Sequence, residues 1–147
     1  MKTILVIFDE VMTGFGRTGK MLVSEDVKPD MVVLGKALSG GMMPVSCVLG
    51  RNEIMDLMKP GIHGSTYGGN PLATALVPQA VNIIKEEKLL ENSINQGNYF
   101  RKELLPFVKI GKLKDVRGKG LLNAIEFYDS NTANKAVNKM MDNGLLA

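Results

Sequence analysis

Cysteine is almost absent from this chain, and that scarcity is the first constraint on what it does. Cys47 stands alone in the apolar segment Val45–Leu49, so one chain builds neither a disulfide framework nor a cysteine-rich metal site, and a reducing compartment fits best. Histidine is equally scarce. With no cysteine or second histidine to complete a ligand set, His63 reads as a structural hydrogen-bonder rather than a metal ligand. No apolar run approaches the length of a membrane span, and Met1 to Ile7 lacks the charged, apolar and small-residue zones of a signal peptide. The chain therefore reads as soluble and cytoplasmic, or as a matrix protein of mitochondria where a transit peptide precedes it.

A surplus of one charge is missing as well. Eighteen basic and fifteen acidic residues leave a formal charge of +3, and the two signs are interspersed, which indicates neither a nucleic-acid footprint nor a funnel for acidic substrates. Lys109, Lys112, Lys114, Arg117 and Lys119 form the densest basic stretch. It alternates with Ile110, Leu113 and Val116 and has no interleaved aromatics, so a solvated sheet edge is favoured over nucleic-acid binding. Internal repeats and low-complexity stretches are absent.

What is present is globular: 45% hydrophobic and 22% charged residues over 147 positions, enough for one ordinary domain or parts of two. Ile4–Phe8, Met31–Leu34 and Val45–Leu49 are short β-branched runs bounded by Gly, Pro and Asp, which predicts buried strands of an α/β sheet. The chain opens almost at once on an apolar run from Thr3 and closes on another from Asn143 to Ala147. Such segments need neighbours, so the expectation is a piece cut from a larger protein.

Helical signals follow. Asn52 is placed to cap a short helix through Met58, with Lys59, Pro60 and Gly61 breaking it. Asn70 and Pro71 make an N-cap and first-turn pair for a long helix to about Leu89, in which Pro78 removes one backbone bond. A second helix is expected from Leu90 to Leu105, ended by Pro106. Strands around residues 112–119 and 121–128 precede a last helix, Thr132–Asn143, with Gly144 as its C′ residue. A boundary near residue 88 divides a sheet-and-helix piece, 1–88, from the opening of a smaller α+β piece, 89–147.

Lys36 is the residue that carries most chemistry. It follows the strand Met31–Leu34 and precedes Ser39, Gly40 and Gly41, a turn that lets backbone pass close to a flat ligand. An apolar strand mouth desolvates a lysine and lowers its pKa, and Asp9, ending the first strand, provides a fixed carboxylate where open α/β sheets bind ligands. A nucleophilic lysine and a carboxylate able to hold a cationic ring nitrogen are the two groups that pyridoxal phosphate chemistry requires. Against this stand a solvent-pointing Lys36 and an Asp9 that merely caps the next turn. Ser65 and Thr66, in His63–Pro71, offer hydroxyls and backbone N–H groups before a helix N-terminus, suited to a phosphate or to capping that helix.

Taken in order, DEVMTGFGRTGK, KPDMVVLGKALSGG, HGSTYGGNPLA, VRGKGLLNAIEF and DNGLLA resemble the class-III, pyridoxal-phosphate-dependent aminotransferases of fold type I, and most of all the members acting on ornithine. The resemblance covers essentially the whole chain. It implies the cofactor-binding large domain, a mainly parallel sheet with helices, over 1–88, followed by the start of the small C-terminal domain over 89–147. It implies that Lys36 is the Schiff-base lysine and proton shuttle, that Asp9 pairs with the pyridinium nitrogen, and that Val11 packs on the ring. Ser65 and Thr66 match the loop that reaches the cofactor phosphate of a neighbouring subunit, so a homodimer with shared sites is expected. The implied reaction passes the terminal amine of ornithine to 2-oxoglutarate by ping-pong transamination.

Met12 departs from the pattern. Relatives usually carry a glutamine there whose amide bonds the phenolic oxygen of the cofactor, and a thioether is a poor substitute, which predicts weaker cofactor binding or a shifted Schiff-base pKa. The Gly19–Pro29 stretch is slightly short, and Ile62 replaces a common acidic residue. The upstream phosphate-binding turn and a downstream substrate-carboxylate arginine lie outside this sequence, so this stretch by itself is not expected to show appreciable activity. Two alternatives remain: a class-III enzyme acting on acetylornithine or 4-aminobutyrate, and a non-catalytic, truncated dimerising piece.

Overall fold

A computed structural model describes residues 4–146; Thr3, where the first apolar run begins, and Ala147, where the last one ends, lie outside them. Three strands make the first sheet: β1 (Ile7–Asp9), β2 (Met31–Leu34) and β3 (Cys47–Gly50), in the order β1-β2-β3. β1 runs parallel to β2, with Asp9 opposite Val33, and β3 runs antiparallel to β2. Among the described residues the expected mainly parallel sheet contributes one parallel and one antiparallel pairing.

β1 starts later than Ile4 because a side chain takes over the ladder there: Val6 N–H donates to Asp30 Oδ2 at 2.7 Å, and its carbonyl accepts from Asp30 N–H at 2.8 Å. The strands are also less buried than their composition predicts. Ile7, Val48 and Leu49 are exposed, because the long helix that follows packs on the turn after β2 rather than across the strands.

Arg51, not Asn52, is the N-cap of the single-turn helix α1 (Asn52–Met55), which stops short of Met58. Arg51 is held there by its ion pair with Asp30 and a backbone bond to the Asp30 carbonyl. α2 (Pro71–Glu86) begins as expected, with Asn70 Oδ1 accepting from Ala73 N–H at 2.9 Å. It continues through Pro78, which leaves the Thr74 carbonyl without its helical donor. Lys88, in the left-handed region at φ 53°, reverses the chain into α3 (Leu89–Lys109).

Pro106 does not end α3. It sits in the last turn, where its carbonyl accepts from Ile110 N–H at 3.2 Å, and Gly111 at φ 74° closes the helix instead. β4 (Asp115–Lys119) and β5 (Leu122–Glu126) form an antiparallel hairpin through Gly120 and pack on α3. α4 (Ser130–Asp142) starts two residues early because Asp129 caps it, Oδ1 accepting from Thr132 N–H at 2.9 Å. It ends in a Schellman arrangement: Leu145 N–H bonds the Met140 carbonyl and Gly144 N–H the Met141 carbonyl.

Burial is concentrated in two places. Leu34, Leu38, Ala73, Ala80 and Ile84 join the end of β2 and its turn to α2, while Leu113 and Val116 lie beneath α3 and the hairpin. Between them runs the glycine-rich loop after β1. A Cβ on Gly19 would sit 2.4 Å from Ile94 on α3, and one on Gly120 would sit 2.5 Å from the Thr18 carbonyl carbon. Leu121 N–H donates to the Arg17 carbonyl at 2.8 Å. Glycine is required at Gly19 because the Ile94 side chain fills the space a Cβ would take, and at Gly120 because backbone meets backbone. No helix of the described residues is long and apolar enough to cross a membrane.

Candidate active site

The candidate site sits where β1 and β2 end side by side. Their parallel register puts Asp9 beside Val33, three residues before Lys36, so both functional positions leave the sheet at the carboxyl ends of neighbouring strands, where open α/β sheets bind ligands. Glu10 N–H extends the pairing, donating to the Val33 carbonyl at 2.9 Å.

Lys36 opens the short 3-10 turn Lys36–Ser39 in the left-handed region, at φ 47°. A side chain with a Cβ is disfavoured there, and such conformations persist only where the surroundings impose them. The surroundings are visible: Leu38 and Ser39 are buried beneath the turn, and Ser39 Oγ bonds the Met43 carbonyl. Lys36 itself is exposed. The desolvation expected of it is not provided by the described residues.

Two open clefts meet at Lys36. One, of about 450 Å³, runs past Val11, Met12, Ala37 and the polar groups Asn92, Ser93 and Asn123. The other, of about 460 Å³, runs past Val45, Ser46, Ser65, Tyr67 and the helix-capping Asn70. Val11 and Met12 thus share one cleft with Lys36, and Ser65 shares the other. Val11 also packs at the base of the turn, its Cγ1 lying 3.6 Å from where a Gly35 Cβ would be.

Asp9 lines neither cleft and is exposed. Its Oδ1 accepts from Val11 N–H at 3.0 Å, so it does cap the following turn, and Oδ2 has no hydrogen bond among the described residues. Ser65 Oγ accepts from Gly68 N–H at 3.0 Å, and Thr66 beside it is exposed. The groups at the two strand ends and on the neighbouring loop are a primary amine, a carboxylate with one oxygen free, a branched residue and two hydroxyls, a set that suits a flat, phosphorylated, cationic ring. Pyridoxal phosphate fits it, with Met12 as the discordant member.

Sequence reasoning passed over Glu10, which is 1% exposed. Its Oε2 accepts from Thr13 Oγ1 at 2.7 Å and its Oε1 from Ser24 N–H at 2.6 Å. Burial pushes the carboxyl pKa up, but the Thr13 hydroxyl and the Ser24 and Val23 backbone donors outweigh that and hold it below the ordinary value. A hydroxyl three residues after a strand-end carboxylate was the available signal. Asn92, Ser93 and Asn123 were missed because sequence distance hid that they share a cleft with Lys36. The basic stretch is part of an exposed network in which Glu126 accepts from Lys114 and Arg117, lowering its pKa.

The model of the aminotransferase class-III family matches residues 1–147. Ornithine aminotransferase of Emericella nidulans is 52% identical over 131 residues, covering 88% of this chain and 29% of that protein. Among solved structures, an ornithine aminotransferase from Toxoplasma gondii, described with partial occupancy of PLP at its active site, superposes with a TM-score of 0.90 at 45% identity, covering 98% of this chain and 35% of that one. An acetylornithine aminotransferase from Elizabethkingia anophelis superposes with a TM-score of 0.89 at 51% identity, covering 98% and 37%. The α/β architecture is therefore that of fold-type I aminotransferases, and the chain spans about a third of the length of these relatives.

Proposed function

Since the chain belongs to the class-III aminotransferases, we propose that it is the lysine-bearing segment of a pyridoxal-phosphate enzyme that moves the terminal amine of ornithine to 2-oxoglutarate, giving glutamate semialdehyde and glutamate. The observation that carries the reading is the placement of Asp9 and Lys36 at the carboxyl ends of adjacent parallel strands. In this proposal the cofactor supplies the electron sink for the charge left when a substrate carbon loses its proton. Lys36 Nζ binds the cofactor, takes that proton and returns it. Asp9 uses its free Oδ2 to hold the ring nitrogen protonated, while Oδ1 stays tied to Val11 N–H.

Val11 supports the ring by packing, and Met12 lies alongside without an amide to offer the phenolic oxygen. Ser65 and Thr66 are assigned to the cofactor phosphate, and their exposure on a protruding loop suits reaching across to a second copy of the protein, hence a homodimer with shared sites. Residues 1–88 are proposed as the C-terminal part of the cofactor-binding domain and 89–147 as the start of the smaller one. The left-handed reversal at Lys88 and the separate burial of Leu113 and Val116 support that division. A free, half-buried Cys47 suits a reducing compartment such as the cytoplasm.

The test is the visible spectrum of the purified full-length protein with pyridoxal phosphate, before and after borohydride, with Lys36→Ala beside it. A lysine-dependent band trapped on Lys36, and ornithine as the preferred donor, are expected; a band unchanged in Lys36→Ala would overturn the reading. The second reading, acetylornithine as amine donor, is favoured by the 51% identity to the Elizabethkingia enzyme, and a preference for acetylornithine over ornithine would establish it.

A further inference from the structure

We propose that Glu10 is a positioning residue whose buried carboxylate fixes the turn carrying Asp9, Val11 and Met12 by accepting from Thr13 Oγ1 and Ser24 N–H. The proposal rests on the functional reading just given. Asp9 and Val11 flank Glu10 directly, so the geometry of the ring-facing groups is set by how firmly this one residue is held.

The hold is complete on every side. Glu10 N–H donates to the Val33 carbonyl, and its own carbonyl accepts from Gly14 N–H, both at 2.9 Å. A Cβ on Gly14 would sit 2.9 Å from that carbonyl oxygen, so the turn closes without slack. Each carboxylate oxygen then meets a donor, at 2.7 and 2.6 Å. Among the described residues no cation pairs with Glu10, so the buried charge is compensated by these hydrogen bonds alone.

An ionised carboxylate accepts from both donors in charge-assisted bonds, whereas the amide of Glu10→Gln keeps Ser24 N–H on its oxygen and can meet Thr13 only by donating to the hydroxyl. Both bonds then become neutral and the Thr13 hydroxyl must turn to accept, so the side chain settles differently. With the backbone of Glu10 pinned and Gly14 closed against it, the displacement is passed to Asp9 and Val11.

The experiment uses the full-length protein. The affinity for pyridoxal phosphate and the pH midpoint of its lysine-dependent visible band are measured in Glu10→Gln, Thr13→Val and Thr13→Ser, with melting of the cofactor-free protein alongside. Glu10→Gln is expected to weaken cofactor binding about tenfold, the scale on which two bonds lose their charge assistance, and to move the band midpoint in the same direction as Asp9→Asn. Thr13→Val should do the same to a smaller degree, and Thr13→Ser, which keeps the hydroxyl, should restore both values.

Variants that lower the melting temperature while leaving affinity and midpoint unchanged would reduce Glu10 to a structural role and overturn the proposal. Should Glu10→Gln fail to fold, the Thr13 pair decides the question in the same way. If the unsubstituted protein forms no lysine-dependent band, the functional reading fails and takes this proposal with it, an outcome distinct from normal binding by every variant.

Discussion

Two glycine-rich loops face Lys36 from opposite sides, and they are built in opposite ways. The loop after β1 is packed: Gly14, Gly16 and Gly19 each lie against other atoms, and the loop is bonded to the hairpin and to the 3-10 turn Val23–Asp26. The loop from Gly61 to Asn70 is open, and a Cβ on Gly61, Gly64 or Gly69 would meet nothing within 4 Å. The two have similar composition. Glycine in the first makes room for the Leu90 and Ile94 side chains packed against it, whereas in the second it leaves exposed chain around Ser65 and Thr66. A glycine count does not separate these uses; the identity of what lies opposite does.

The sharpest way to break the packed side is Gly120→Ala. The added methyl would lie 2.5 Å from the Thr18 carbonyl carbon on a residue at φ 56°, and with backbone on both sides neither can yield. Overpacking and backbone strain together predict a loss of about 3 kcal/mol or more in urea unfolding of the full-length protein. An unchanged midpoint would mean that the loop and hairpin are not docked as described.

Acid should act on the packed side next. The folded pKa of Glu10 lies below its ordinary value of 4.5, so its contribution to stability is present above 4.5 and is lost as pH falls through the folded value. Stability measured downward from pH 5 should therefore fall more steeply in the unsubstituted protein than in Glu10→Gln, and parallel curves would contradict the assignment. On the open side, Asn70→Ala removes the cap of α2 and should cost about 1 kcal/mol. Smallest of all, Gly64→Ala meets nothing and should change stability by less than about 0.5 kcal/mol; a larger loss of stability would show that the loop is covered.

Local chemistry was legible in the sequence. Asn70 before Pro71, Gly144 after α4 and the Met31–Leu34 strand each depend on a few adjacent residues, and each is found where it was expected. Pro106 was misread because a proline in the final helical turn removes one donor while the carbonyls ahead of it find others. The start of β1 was misread because Asp30 bonds Val6 through its side chain, a tertiary contact that hydrophobic patterning does not encode. At the candidate site, the residue types around Lys36 were legible. The burial of Glu10 was not, because it follows from Ser24 N–H folding back onto its carboxylate, and neither was the cleft that Asn92, Ser93 and Asn123 share with Lys36, because it follows from docking α3 and the hairpin against a loop far earlier in the chain.

The left-handed backbone of Lys36 bears on how its side chain can be interrogated. Lysine and alanine both possess a Cβ and both carry the same conformational penalty at φ 47°, so Lys36→Ala deletes the amine and its stem while the backbone cost cancels from the comparison. Lys36→Gly would relax that residue at the same time, mixing relief of strain with loss of chemistry. Of the two, only the alanine variant reports on the amine with the turn held constant.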